Sequence, residues 1–124
     1  MRILVADDER TIADTLQIIL EKEGFEAVAV YGGRAAIAKA REWKPHLLLT
    51  DVVMPGVNGI EAAIQITRFL PECKVLLLSA QAMVRDLMKD AHQDGLGFSI
   101  IMKPVHPAEL IRFLQSMLAE KGNG

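Results

Sequence analysis

Leu47-Leu48-Leu49-Thr50-Asp51 is a run of three leucines that ends on two polar residues. Short, nearly continuous apolar runs of this kind read as parallel strands buried on both faces. Two similar runs flank it in the chain: Ile3-Leu4-Val5-Ala6 before Asp7-Asp8, and Val75-Leu76-Leu77-Leu78 before Ser79. Between them lie longer segments with helical periodicity. Strands alternating with helices imply βαβ units and one open, doubly wound sheet. The side chains at the carboxyl ends of its strands converge on one rim, which is where open α/β sheets bind ligands.

Working outward, the pattern gives five strands and five helices. The first helix follows Asp8, carries Ile12, Leu16, Ile19 and Leu20 on one stripe, and stops at Gly24. Phe25 to Val30 forms the second strand, whose small, partly polar residues suit an edge. Ala35, Ile37 and Ala40 place a short helix after Gly32-Gly33, and Pro45 ends that segment. Asn58 caps the third helix, in which Ile60, Ala63, Ile64 and Thr67 share a face until Pro71. Val84, Leu87, Met88 and Ala91 mark a fourth helix ending at Gly95, followed by a fifth strand from Phe98 to Met102. Leu110, Phe113, Leu114, Met117 and Leu118 recur at steps of three and four in the fifth helix.

Periodicity does not order the strands, but the polar ends do. Right-handed crossovers place helices on both faces, and a reversal of winding opens a crevice between two strands. With strand one beside strand three, Asp7 and Asp8 face Asp51 across about 5 Å of sheet. Ser79 and Lys103 follow on strands four and five, while Val30-Tyr31 offers no comparable group and suits the far edge. The expected fold is an α/β, doubly wound five-stranded parallel sheet of order 2-1-3-4-5 with five helices.

Composition bounds the function. A chain of 124 residues with a net charge of -2 reads as one domain, residues 1–121, with 122–124 as a disordered tail or linker stub. It has no global basic field for nucleic acid or anionic membranes. DNA binding would require a further domain. No apolar stretch approaches the ~20 residues of a transmembrane helix and no signal peptide precedes the first strand, so a cytoplasmic location is expected. Cys73 is the sole cysteine and reads as an unreactive, partly buried thiol.

Asp7, Asp8 and Asp51 cannot all stay ionised unaided, since each like-charge pair costs about 4 kcal/mol at 4 Å and an effective dielectric near 20. A hard divalent cation resolves the conflict. Oxygen ligands without His or Cys point to Mg²⁺, for which Mn²⁺ can substitute, rather than zinc. Mg²⁺ keeps waters and bridges to phosphate, so the cluster suits phosphoryl chemistry. Asp51 can attack phosphorus to give an acyl phosphate, with the metal and the Lys103 ammonium offsetting charge on the transferring oxygens. The Ser79 hydroxyl can donate to one of those oxygens.

Each segment alone has a plainer explanation: helix-capping acids at Asp7-Asp8, a turn after Asp51, a surface lysine before Pro104. Together, and on different strand ends, they form one constellation. His46, His92 and His106 fall outside it and read as helix-end or surface residues, and Glu9 as solvent-facing.

The segments ADDE at 6–9, TDVVMPGVNG at 50–59, LLLSA at 76–80 and MKP at 102–104 resemble those of bacterial response-regulator receiver domains, in the same order and across essentially the whole chain. The resemblance implies a flavodoxin-like receiver fold. It implies that Asp51 accepts a phosphoryl group from a sensor histidine kinase or a histidine phosphotransfer protein. Asp8 would ligate Mg²⁺ directly, Asp7 mainly through metal-bound water, and Val53 through its backbone carbonyl. Ser79 and Lys103 match the switch hydroxyl and the phosphate-contacting lysine, and the Lys103-Pro104 peptide would be cis. Homodimerisation through the fourth helix, fifth strand and fifth helix is a further candidate.

Three features bear on readout. Ile100 stands where the family commonly has an aromatic residue three before the lysine, and Gly95 and Gly97 depart from its usual Gly-Ala spacing. Phe98, on the same strand face as Ile100, is a partial substitute. Val53 cannot orient an attacking water and Gln81 can do so only as a neutral amide, which predicts slow to intermediate self-dephosphorylation. A phosphatase of the haloacid dehalogenase type shares the chemistry, but Val53 replaces its general acid and no cap domain fits. A binding module that signals without phosphate is a third reading, weakened by the complete acid, hydroxyl and lysine set. A nucleotide switch would need a glycine-rich loop ending in Lys-Ser or Lys-Thr.

Overall fold

The computed structural model describes residues 1–80 and 97–122. Five strands, β1 (Arg2–Ala6), β2 (Glu26–Val30), β3 (Leu47–Asp51), β4 (Lys74–Ser79) and β5 (Ser99–Met102), form one sheet in the order β2-β1-β3-β4-β5. Every pairing is parallel, with Ala6 opposite Thr50 and Asp51 opposite Leu78. The sheet order deduced from the polar strand ends is the observed one.

The helix count is corrected. The described residues hold four helices, α1 (Arg10–Lys22), α2 (Gly33–Trp43), α3 (Gly59–Phe69) and α4 (Pro107–Gly122), where five were expected. The helix read from Val84, Leu87, Met88 and Ala91 lies outside the described residues, and α4 is the one numbered fifth from sequence. The homodimer face expected of the fourth helix, fifth strand and fifth helix is thus unsupported, since the described residues hold four helices. Among the described residues no helix is long and apolar enough to cross a membrane.

Because strand side chains alternate between faces, each apolar run feeds two cores. Ile3, Val5, Leu47, Leu49, Leu76 and Leu78 pack with Leu16 and Leu20 of α1 and Leu110 and Leu114 of α4. Leu4, Ala6, Leu48, Val75 and Leu77 pack with Ala36 and Ala40 of α2 and Ala63 and Ile66 of α3. Small residues on α2 and α3 bring those helices close to the sheet. Cys73 is buried in this second layer.

Local signals match the chain's turns. The Asn58 side chain accepts the Glu61 backbone N–H at 2.9 Å, capping α3. After α1, Gly24 adopts φ +94, the left-handed conformation that ends a helix. His46 is not a bystander: its Nδ1 accepts the Arg2 backbone N–H at 2.9 Å, tying the start of β3 to that of β1.

Candidate functional site

Parallel pairing of β1 and β3 sets their carboxyl ends side by side, so Asp7, the exposed Asp8 and Asp51 meet at the rim. Carboxylate oxygens from the three lie within 4.8 Å of one another. Asp7 is fully buried and Asp51 nearly so. The Asp7 backbone N–H donates to the Val30 carbonyl at 3.2 Å, and Oδ1 accepts the Glu9 N–H at 2.9 Å. Oδ2 is buried without a hydrogen-bond partner among the described residues. Burial raises the Asp7 pKa above the usual carboxylate value, the Asp51 and Asp8 charges push the same way, and the Glu9 N–H and Lys103 oppose them. A buried carboxylate oxygen without a partner is costly, and a cation is the natural means of satisfying it.

Lys103 follows β5, where its backbone N–H donates to the Ser79 carbonyl at 2.9 Å. Its Nζ lies 3.1 Å from Asp51 Oδ1. The Lys103-Pro104 peptide is cis. Ser79 ends β4 almost fully buried, with its hydroxyl donating to the Ala80 carbonyl at 3.3 Å. The structure thus brings together Asp7, Asp8, Asp51, Ser79 and Lys103 at one rim. Val53 is beside it with an exposed side chain, while Gln81 lies outside the described residues. Glu9 faces solvent as expected. Phe98, one residue ahead of β5, packs with Ile100 against the second core layer.

Three contributors were not legible from side-chain chemistry. Thr50 is buried, and its hydroxyl donates to the Asp51 carbonyl at 3.0 Å. A Cβ on Gly59 would overlap that same carbonyl, while the Gly59 N–H donates to the Val52 carbonyl at 2.9 Å. Only glycine lets α3 start this close to the strand that carries Asp51. Lastly, the end of β2, read as empty, supplies the Val30 carbonyl to Asp7. Gly59, the last residue of the TDVVMPGVNG segment, was the available signal; backbone partners leave none in sequence.

An open α/β sheet that gathers an acid cluster and a lysine at its switch point holds these groups where folds of this class bind ligands. The family model described as "Response regulator receiver domain" matches residues 3–115, and the chain belongs to that family. The DNA-binding response regulator MtrA of Mycobacterium tuberculosis is 32% identical over 117 residues, which cover 94% of this chain and 50% of MtrA. The chain spans about half the length of the first of the curated relatives it matches. Chemotaxis protein CheY of Thermotoga maritima is 32% identical over 120 residues, covering 94% of this chain and 96% of CheY. The crystal structure of response regulator protein TrrA from Thermotoga maritima, in complex with Mg²⁺-BeF, superposes with a TM-score of 0.79 at 29% identity, covering 93% of this chain and 96% of TrrA.

Proposed function

We propose that the chain is a phosphorylation-controlled switch in which Asp51 accepts a phosphoryl group from a phosphohistidine on a sensor kinase or phosphotransfer protein. The observation that carries this reading is the meeting of the Asp7 and Asp8 carboxylates and the Lys103 ammonium around Asp51 at the sheet's switch point. An Asp51 carboxylate oxygen attacks phosphorus, the bond from phosphorus to the donor nitrogen breaks, and the imidazole leaves carrying its electron pair. Lys103, already beside Asp51, offsets charge on the phosphoryl oxygens, and Ser79 gives up its Ala80 carbonyl to donate to one of them.

Asp7, Asp8, Asp51 and the Val53 carbonyl would hold Mg²⁺. The oxygen-only donor set and the unpartnered Asp7 Oδ2 fit it. When bound, the ion neutralises the carboxylates and the transferring oxygens. The TrrA complex supports the assignment, because beryllium fluoride is a tetrahedral stand-in for a phosphoryl group. The covalent event shifts a two-state equilibrium rather than releasing a product, and the output belongs to a partner or to a further domain.

Intact-protein mass after incubation with acetyl phosphate tests the reading. Wild type is expected to gain one phosphoryl group with Mg²⁺ and none with EDTA, and Asp51→Asn to gain none under either condition. An adduct on the variant, or none on wild type with acetyl phosphate and phosphoramidate alike, contradicts it.

Self-dephosphorylation is expected to be slow to intermediate, in part because the exposed, apolar Val53 side chain offers an attacking water no hydrogen bond. Val53→Asn is expected to speed phosphate loss by roughly ten-fold, within the range that positioned polar groups supply. Phosphate release after donor removal reads this directly. A variant no faster than wild type removes Val53 from the account.

A further inference from the structure

On the β2 side of the acid cluster, Arg10, Asp14 and Tyr31 form a unit to which the reaction above gives no task. The Tyr31 hydroxyl donates to Asp14 Oδ1 at 2.6 Å. The Arg10 guanidinium lies over the Tyr31 ring, 4.2 Å from its centroid. Asp14 sits four residues after Arg10 on α1, the usual spacing for a helical ion pair. Yet among the described residues no carboxylate pairs with Arg10, and Asp14 accepts from the Tyr31 phenol instead. The hydrogen bond to Asp14, with a smaller effect of burial, raises the Tyr31 pKa and keeps the phenol a neutral donor.

Stacking uses the face of a guanidinium and leaves its N–H edge available to an oxyanion. The ring beneath is held at one end by Asp14 and at the other by the backbone that follows Val30, whose carbonyl accepts the Asp7 N–H. Arg10 also follows Asp8 by two residues. The unit is therefore fixed to the strand end that carries the metal-binding acids. With strands spaced about 4.8 Å apart, β2 ends roughly 10 Å from β3. Lys103 approaches Asp51 from the β5 side, so the two cations stand on opposite flanks of three carboxylates. A phosphodonor is itself an anion and must cross that acidic field.

Resting on the phosphoacceptor role of Asp51, we propose that Arg10, held on Tyr31, is a second cationic contact for the oxyanion of a small acyl-phosphate donor, acting in its capture rather than in the transfer step. Arg10 is a recognition residue. Its loss changes how often the donor arrives correctly placed, not how fast Asp51 attacks once it is there.

Phosphorylation rates of the full chain with acetyl phosphate, over a range of donor and salt concentrations at saturating Mg²⁺, test this. Arg10→Ala is expected to lower the apparent kcat/KM by roughly three- to ten-fold at low salt, with the rate at saturating donor unchanged. The loss shrinks as salt rises, because the Debye length falls to about 3 Å at 1 M. Tyr31→Leu, which keeps the arginine and removes its platform, is expected to lose most of the same factor, and Tyr31→Phe less. Mg²⁺ affinity is expected to hold in Arg10→Ala, since Arg10 supplies no ligand to the ion. Unchanged kcat/KM in Arg10→Ala overturns the proposal. Weakened Mg²⁺ binding also overturns it, because a loosened rim then explains the loss. Failure of wild type itself to form the Asp51 adduct is a different result, and it refutes the phosphoacceptor role instead.

Discussion

Asp7→Asn is expected to make the metal-free protein more stable, by roughly 1–3 kcal/mol, while removing most of its stabilisation by Mg²⁺. The reasoning begins with a fully buried carboxylate whose Oδ2 has no partner among the described residues. Two further carboxylates stand beside it. An amide of the same shape carries no charge, and its N–H groups can donate to Asp8 and Asp51. The same change removes one of the three anionic groups that would hold the metal. For wild type, Mg²⁺ at a hundred times its dissociation constant adds about 2.7 kcal/mol, and the variant is expected to lose the greater part of this. Urea denaturation with EDTA and with Mg²⁺ reads both effects.

The pH dependence follows from the direction of the Asp7 shift. A raised pKa means that the folded protein holds this proton more tightly than the unfolded chain does. Well below the ordinary value of 3.8 both states are protonated and the residue contributes nothing. As pH rises from there through the raised value, the unfolded chain ionises first and stability falls; above the raised value the full penalty remains. Metal-free wild type is therefore expected to lose stability relative to Asp7→Asn across that window, and Mg²⁺ to abolish the difference. A variant less stable than wild type in EDTA at neutral pH contradicts the strained-acid account.

Gly59→Ala is the second large effect, a loss of about 3 kcal/mol. Propensity argues the other way, since alanine suits a helix better than glycine by up to about 1 kcal/mol. The new Cβ would overlap the Asp51 carbonyl and lie 3.1 Å from Thr50 Oγ1, and both belong to a strand end held by pairing with β4 and by the Thr50 hydroxyl. Either α3 shifts outward or Asp51 moves. The variant is thus expected to combine a lower denaturation midpoint with slower phosphorylation. Stability equal to wild type would mean that the approach of α3 to β3 is not as close as described.

Much of this was legible in the chain. Leu47-Leu48-Leu49 and its two counterparts declare buried parallel strands by being apolar on both faces, and the structure divides their alternate residues between two cores. The strand order came from requiring Asp7, Asp8, Asp51, Ser79 and Lys103 to share a rim, a constraint stronger than any propensity. Backbone partnerships were illegible: nothing in a side chain announces that Val30 accepts from Asp7 or Thr50 donates to Asp51. The Arg10–Tyr31 stack was missed for a related reason, since it joins α1 to the end of an edge strand judged by its small, partly polar residues and its lack of a group comparable to Asp51, Ser79 or Lys103. The helical periodicity at Val84, Leu87, Met88 and Ala91 falls outside the described residues.

The most direct test of the central claim is chemical mapping of the phosphorylated residue. Borohydride reduces an aspartyl acyl phosphate to homoserine, which peptide mass spectrometry locates. Protein treated with acetyl phosphate and Mg²⁺ is expected to yield homoserine at position 51 and nowhere else. Homoserine at position 7 or 8, or a phosphoryl adduct that survives reduction unchanged, would contradict the assignment of Asp51 as the acceptor.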